Sequence, residues 1–129
     1  MSKTILIVDD SATARMLIRR CVEIAGLPDA EFLEAGNGIE GLEVMSNKSV
    51  SLVFTDLNMP EMDGSEFLRA IRASDSYASI PVIVITSAGN EAREAALRQE
   101  GATVILSKPI SPAIIASTLD SLEETNNGD

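Results

Sequence analysis

Four short apolar runs are spaced along the chain, each built largely from branched aliphatic residues. They are ILIV at 5–8, LVF at 52–54, VIVI at 82–85 and VIL at 104–106. Uninterrupted runs of this kind are typical of strands buried on both faces, as in a parallel sheet. A weaker fifth run, AEFLEA at 30–35, carries two glutamates, which is typical of an edge strand protected by charge.

Segments with helical periodicity separate these runs. Ser11 is a favourable N-cap, and Gly26 is a favourable residue at the end of the first predicted helix. Between them, apolar residues recur at helical spacing: Ala14, Leu17, Ile18, Cys21, Val22 and Ala25. Four further helices are predicted from Ile39, Leu42 and Met45, from Phe67, Leu68 and Ile71, from the alanine-rich stretch 90–101, and from Ile115, Leu119 and Leu122. Because parallel strands need helical crossovers, this alternation predicts a doubly wound α/β domain with a five-stranded parallel sheet.

Length and composition exclude several classes of protein. The 129 residues suffice for one domain, 1–129, and we expect about 124–129 to form a frayed tail. A net charge of −10 disfavours binding to nucleic acid or to an anionic membrane surface. No apolar run approaches the roughly 18 residues of a membrane span, so we expect a cytoplasmic protein. Cys21 is the only cysteine, and its helical spacing favours a place in the core over reactivity.

Polar residues that can carry chemistry follow four of the predicted strands. Asp9 and Asp10 follow the first strand, Asp56 the third, Thr86 the fourth and Lys108 the fifth. The carboxyl ends of parallel strands share one edge of the sheet, where ligands bind in open α/β folds. Each residue alone has an ordinary structural explanation, since such residues are common after strands. Together they predict one site with three carboxylates, a hydroxyl and an ammonium group.

Three carboxylates held close together cannot all remain ionised unless a cation joins them. Oxygen ligands suit hard cations, among which Mg²⁺ is the abundant candidate. The sequence has no histidine, and a single cysteine at helical spacing cannot form a zinc or copper site. The adjacent acids Asp9 and Asp10 are therefore interpreted as half of a magnesium site.

The motifs that carry these residues resemble those of response-regulator receiver domains, and the resemblance covers essentially the whole chain. The matching pieces are DD at 9–10, DLNMPEMDG at 56–64, VITSA at 84–88 and SKPI at 107–110. The resemblance implies a flavodoxin-like (βα)5 fold with strand order 2-1-3-4-5. It also implies a stand-alone regulator of two-component signalling that accepts a phosphoryl group from a histidine kinase and is not an enzyme.

The resemblance assigns Mg²⁺ ligands to numbered residues. Asp10 and Asp56 would bind the ion directly, Asp9 through a water molecule, and Asn58 through its backbone carbonyl. These oxygen donors agree with the ligand preference of Mg²⁺.

The resemblance also assigns the phosphoryl chemistry. Asp56 would be the phosphoacceptor, because an aspartate carboxylate can form an acyl phosphate. Thr86 and Lys108 would contact the phosphoryl oxygens and stabilise their charge. The Lys108–Pro109 peptide bond is expected to be cis.

A departure from the family affects the expected switch. Most chemotaxis-type receivers carry an aromatic residue three positions before the lysine, where this chain has Ile105. We expect movements of Thr86 and Ile105 to change the face formed by the fourth helix, fifth strand and fifth helix. The rearrangement of side chains should be smaller than in receivers with an aromatic residue, because branching at Cβ restricts the χ1 angle of Ile105. Asn58 and Ala88 would flank the path of water to the acyl phosphate, and neither seals it, which predicts a short lifetime.

Several alternatives remain open at this point. We expect signalling through a downstream protein target, since no output domain follows the last helix. The protein is also expected to be a monomer and to act in chemotaxis. A phosphorelay carrier or the excised receiver of a larger protein is the main alternative. A phosphatase of the haloacid dehalogenase type would need a general acid at position 58, and the amide of Asn58 cannot act as one. A flavodoxin would have to bind the phosphate of its flavin beside Asp9 and Asp10, whose charges would repel it. A purely structural domain leaves the clustered charge unexplained.

Overall fold

The chain alternates strands and helices throughout the residues that the computed structural model describes, which are 3–87 and 91–127, the last four as backbone only. The strands are β1 (Thr4–Val8), β2 (Glu31–Ala35), β3 (Leu52–Asp56), β4 (Val82–Thr86) and β5 (Val104–Ser107). The helices are α1 (Ala12–Ile24), α2 (Gly38–Asn47), α3 (Gly64–Ala73), α4 (Glu91–Glu100) and α5 (Pro112–Asn127). Within these ranges no helix combines the length and apolar character needed to cross a bilayer.

The five strands form one parallel sheet in the order β2-β1-β3-β4-β5. This confirms the predicted doubly wound, flavodoxin-like fold with strand order 2-1-3-4-5. β2 lies at an edge, and its glutamates Glu31 and Glu34 are exposed, as the sequence predicted. The strand order reverses between β1 and β3, so their carboxyl ends flank the crevice where such folds bind ligands.

Local capping explains where the helices begin and end. The Ser11 side chain accepts a hydrogen bond from the Ala14 N–H at 3.2 Å, which confirms Ser11 as the N-cap of α1. Asp63 caps α3 in a reciprocal arrangement with Glu66, in which each side chain accepts a hydrogen bond from the other's backbone N–H. Gly26 follows α1 with φ of 126°, a conformation that glycine adopts without strain.

Two apolar clusters pack on opposite faces of the sheet. One contains Met45 of α2, Phe67 of α3 and Leu97 of α4, together with one set of alternating strand residues. The other contains Ile18 of α1 and Ile115 of α5, together with the complementary set. The central strands are buried on both faces, which is why they lack a polar alternation.

One detail differs from the sequence prediction. Leu17 belongs to the apolar residues that recur at helical spacing in α1, yet it is 52% exposed, whereas Ile18, Cys21 and Val22 are buried. Ile18, Cys21 and Val22 are spaced i, i+3 and i+4 and so share the face of α1 that packs on the sheet, whereas Leu17 lies at the edge of that face. The backbone of α5 is helical to Asn127, and residues 128–129 lie outside the described ranges, so the tail expected at about 124–129 stays a prediction.

Candidate functional site

The strand-end residues meet at one edge of the sheet. Asp9 directly follows β1, Asp56 is the last residue of β3, and Thr86 is the last residue of β4. Asp56 pairs with Ile85, the residue before Thr86, and Thr86 pairs with Ser107, the residue before Lys108. Parallel register therefore brings together residues that are about 100 positions apart in the chain.

Three carboxylates form the centre of this edge. One oxygen each from Asp9, Asp10 and Asp56 lies within 4.8 Å of the others. Asp9 and Asp56 are only 2% and 7% exposed, whereas Asp10 is exposed to solvent. The cluster thus consists of two buried acids and one exposed acid.

Lys108 is the cation that faces these acids. Its Nζ lies 3.2 Å from Oδ1 of Asp56. Its backbone N–H donates to the carbonyl of Thr86 at 2.8 Å, so the ends of β4 and β5 are tied together. The Lys108–Pro109 peptide bond is cis, as the resemblance implied. One ammonium group facing three carboxylates leaves an excess of negative charge when all three are ionised.

The environment of Asp9 reflects this excess. Burial raises the pKa of the Asp9 carboxyl, the hydrogen bond from the Ser11 N–H opposes that shift, and the neighbouring charge of Asp56 adds to it. The Ser11 N–H donates to Oδ1 of Asp9 at 2.9 Å. Burial and the neighbouring acids thus disfavour the ionised form of Asp9, and a bound cation would favour it.

The loop after β3 packs closely against the backbone of Asp56. The Thr55 hydroxyl donates to the Asp56 carbonyl at 2.9 Å, and the Gly64 N–H donates to the Leu57 carbonyl at 2.8 Å. A Cβ added at Gly64 would lie 2.9 Å from Cα of Leu57 and closer still to the Asp56 carbonyl oxygen. Glycine at position 64 therefore lets α3 begin against the peptide bond that follows Asp56.

The family of the chain follows from this fold and a sequence match. The sequence profile of the response regulator receiver domain matches residues 5–120. The chain belongs to this family. Receiver domains are components of two-component signalling, and the family is generally Mg²⁺-dependent. The oxygen-only donor set of Asp9, Asp10 and Asp56 fits that ion.

Relatives match the receiver domain over most of its length. A chemotaxis protein CheY homolog of Campylobacter jejuni is 32% identical over 126 residues, covering 97% of this chain and 95% of that protein. Part of the sensor histidine kinase CheAY of Helicobacter pylori is 35% identical over 109 residues, covering 83% of this chain and 13% of that protein. The structure of chemotaxis protein CheY4 of Vibrio cholerae superposes with a TM-score of 0.84 at 29% identity, covering 94% of this receiver and 98% of that chain.

The remaining predicted site residues have defined positions. Asn58 is exposed, two residues beyond Asp56 in the loop after β3. Ile105 is 9% exposed and pairs with Val84. Because side chains alternate along a strand, Ile105 and Thr86 lie on the same face of the sheet, the one that carries Leu97 of α4. Ala88, predicted to flank the path of water, lies outside the described residues.

The sequence reasoning missed Arg15. Its guanidinium donates to the Asp9 carbonyl at 2.6 Å and to Oε1 of Glu34 at 2.7 Å. The available signal was its place near the start of α1, where a cation opposes the helix dipole. The sequence pattern indicates only that the charge of Glu34 protects an edge strand, whereas the structure shows Glu34 in an ion pair with Arg15.

Proposed function

We propose that this receiver domain accepts a phosphoryl group on Asp56 from a histidine kinase, in a reaction that depends on Mg²⁺. The carrying observation is the convergence of Asp9, Asp10 and Asp56 within 4.8 Å, with Lys108 Nζ 3.2 Å from the Asp56 carboxylate. The same arrangement has no explanation as part of the core, because burying clustered acids is costly.

The proposed chemistry is an in-line transfer. The free carboxylate oxygen of Asp56 attacks phosphorus, the P–N bond to the kinase histidine breaks, and the imidazole leaves with the electron pair. Lys108 stabilises the developing charge on the phosphoryl oxygens, and Thr86 donates a hydrogen bond to one of them. Mg²⁺, held by Asp10, Asp56 and the Asn58 carbonyl and by Asp9 through water, would neutralise charge on the transferring oxygens.

The protein would act as a switch and not as a turnover enzyme. A phosphatase of the haloacid dehalogenase type needs an acid at position 58, and Asn58 cannot donate or accept a proton usefully. Self-phosphorylation and slow self-dephosphorylation are then its only reactions. We place the protein in the cytoplasm, as a monomer that acts through a protein target.

A chemotaxis role is supported by the chemotaxis protein CheY homolog and CheY4, which match this receiver along almost their full lengths. The match to part of CheAY favours a second candidate, in which the receiver serves a larger protein or carries the group in a relay. Transfer assays with purified kinases separate these candidates. A chemotaxis regulator changes its binding to a target once phosphorylated, whereas a carrier passes the group to a second histidine protein.

The proposed switch runs through the sheet face shared by Thr86 and Ile105. Phosphorylation adds roughly −1.5 to −2 charges beside Lys108, which favours movement of the Thr86 hydroxyl towards the phosphoryl group. Ile105 packs in the same apolar cluster as Leu97 of α4. When Thr86 moves, side chains of this cluster repack into the space that it leaves, and the change reaches α4. The output surface is then the face formed by α4, β5 and α5.

The proposed transfer is tested by labelling with radioactive acetyl phosphate. Wild-type protein with Mg²⁺ should gain one acid-stable, base-labile group, and Asp56→Asn or EDTA should abolish it. Asp63→Asn removes an acid from the same loop without touching the site and should label normally. Labelling of Asp56→Asn at the wild-type level would overturn the assignment.

The proposed switch is tested by backbone amide NMR with beryllofluoride, a mimic of the phosphoryl group. Shifts should extend from the Asp56 loop to α4, β5 and α5, with Ile105→Tyr as the comparison variant. Shifts confined to the loops around Asp56, together with long-range shifts restored by Ile105→Tyr, would mean that the wild-type protein does not switch in this way.

A further inference from the structure

Arg15 joins the acid-bearing loop to the neighbouring edge strand. Its Nη1 donates to the Asp9 carbonyl at 2.6 Å, and its Nε donates to Oε1 of Glu34 at 2.7 Å. Its side chain is only 20% exposed, compared with 72% for Arg20 further along α1. The guanidinium therefore bridges the end of β1 to β2 as a rigid fork.

We infer that Arg15 is a positioning residue for the Mg²⁺ site, which it controls by fixing the peptide bond between Asp9 and Asp10. The inference rests on the proposed function, because it assumes that Asp10 binds the ion. Arg15 is not one of the proposed ligands of the ion. It acts through the Asp9 carbonyl.

The hydrogen bonds around Asp9 support this role. The Asp9 N–H donates to the Ala35 carbonyl at 3.0 Å, and Oδ1 accepts from the Ser11 N–H at 2.9 Å. The remaining backbone group, the Asp9 carbonyl, is held by Arg15. That carbonyl lies in the same peptide plane as the Asp10 N–H, because the peptide bond is planar. Fixing it sets the direction in which the exposed Asp10 side chain leaves the backbone.

Charge and position predict opposite effects of losing Arg15. If its only influence were electrostatic, removing a positive charge near the acids would strengthen Mg²⁺ binding. If it positions the loop, removing it weakens binding even though the site becomes more negative. Arg15→Lys separates the two most cleanly, because the charge is kept while the two nitrogen donors of the planar fork are replaced by one flexible ammonium group.

The experiment is a Mg²⁺ titration followed by the backbone amide shifts of residues around Asp10, since the chain has no tryptophan. We expect Arg15→Lys and Arg15→Gln to weaken Mg²⁺ binding about tenfold, at the lower end of effects typical for partners that orient ligands. Glu34→Asp, which keeps the charge but shortens the side chain that holds the other end of the fork, should weaken it in the same direction. Arg20→Gln is the matched charge control on α1 and should change the dissociation constant less than about twofold, because exposed charges are screened.

The outcomes distinguish this inference from the proposed function. Unchanged binding in Arg15→Lys with tighter binding in Arg15→Gln would overturn the positioning role while leaving the metal site intact. Failure of the wild-type protein to bind Mg²⁺ would contradict the proposed function itself, and the inference with it. Circular dichroism without Mg²⁺ checks that each variant is folded. If both Arg15 variants fail to fold, Glu34→Asp decides the matter, because it keeps the charge and shortens the side chain that holds Nε of Arg15; unchanged Mg²⁺ binding in Glu34→Asp would then overturn the positioning role.

Discussion

Replacing Gly64 with alanine should destabilise the protein and disturb the proposed phosphoacceptor together. Gly64 is the first residue of α3 and lies against the peptide that follows Asp56. An added Cβ would lie 2.9 Å from Cα of Leu57 and 3.2 Å from the carbonyl carbon of Asp56, and closer still to that carbonyl's oxygen. These are backbone atoms, so the clash cannot be relieved by rotating a side chain. The φ of Gly64 lies outside the left-handed region, so close approach alone causes the effect.

The magnitude follows from the cost of overpacking. Inserting a methyl group into a tight site costs about 1–3 kcal/mol, and the helical preference of alanine over glycine offsets up to about 1 kcal/mol. We expect a net loss of about 1–2 kcal/mol in the free energy of unfolding. For a chain of 129 residues, 1 kcal/mol corresponds to a shift of about 4 °C in Tm, so Tm should fall by about 4–8 °C.

The assay pairs thermal unfolding with the rate of phosphorylation by acetyl phosphate. Gly36→Ala is the matched control, because its nearest contact would be Oε1 of Glu40 at 3.5 Å, an ordinary distance from a flexible side chain. It should change the free energy of unfolding by less than about 0.5 kcal/mol, as is usual away from tight sites. A Gly64→Ala variant with wild-type Tm and wild-type phosphorylation would refute the close-approach argument.

The remaining predictions concern a cap, a thiol and the metal site. Asp63→Ala should lower the free energy of unfolding by about 1 kcal/mol in urea melts, because it removes the N-cap of α3. Cys21 is 3% exposed and should react with a thiol reagent only slowly in the folded protein. Burial raises the pKa of its thiol, so above the ordinary value of 9.0 the unfolded chain loses the proton first, and the free energy of unfolding should decline as pH rises. Asp10→Asn should weaken Mg²⁺ binding in NMR titrations and slow phosphorylation, while the metal-free fold is at least as stable, because repulsion is relieved.

Each of these expectations has a contradicting result. A wild-type urea midpoint in Asp63→Ala would mean that the cap contributes nothing. Cys21 modification as fast as in the unfolded chain would place the thiol outside the core. Metal-free Asp10→Asn that is less stable than wild type would show that Asp10 has a structural role.

Much of the fold could be predicted because the relevant signals are local. The β-branched runs of β1, β3, β4 and β5 indicate burial on both faces, and the Ser11 side chain is a favourable N-cap that the sequence shows directly. The placement of site residues at strand ends follows once the sheet is parallel. These inferences need only periodicity and the rule that carboxyl ends meet at one edge.

Other features depend on contacts between distant segments and could not be predicted in the same way. The Arg15–Glu34 ion pair requires a side chain from the start of α1 to reach one from β2, and sequence spacing does not give that distance. Leu17 shows the same limit, because apolar residues at helical spacing do not show which of them lies at the edge of the buried face. The close approach of Gly64 to Asp56 likewise depends on how α3 enters beneath β3.

Mapping the phosphorylated residue tests the central claim most directly. The protein is treated with acetyl phosphate and Mg²⁺, reduced with borohydride, which converts an aspartyl phosphate to homoserine, and digested for mass spectrometry. The account predicts homoserine at Asp56 alone, with none formed in EDTA. Homoserine at Asp9 or Asp10 and an unmodified Asp56 would contradict it.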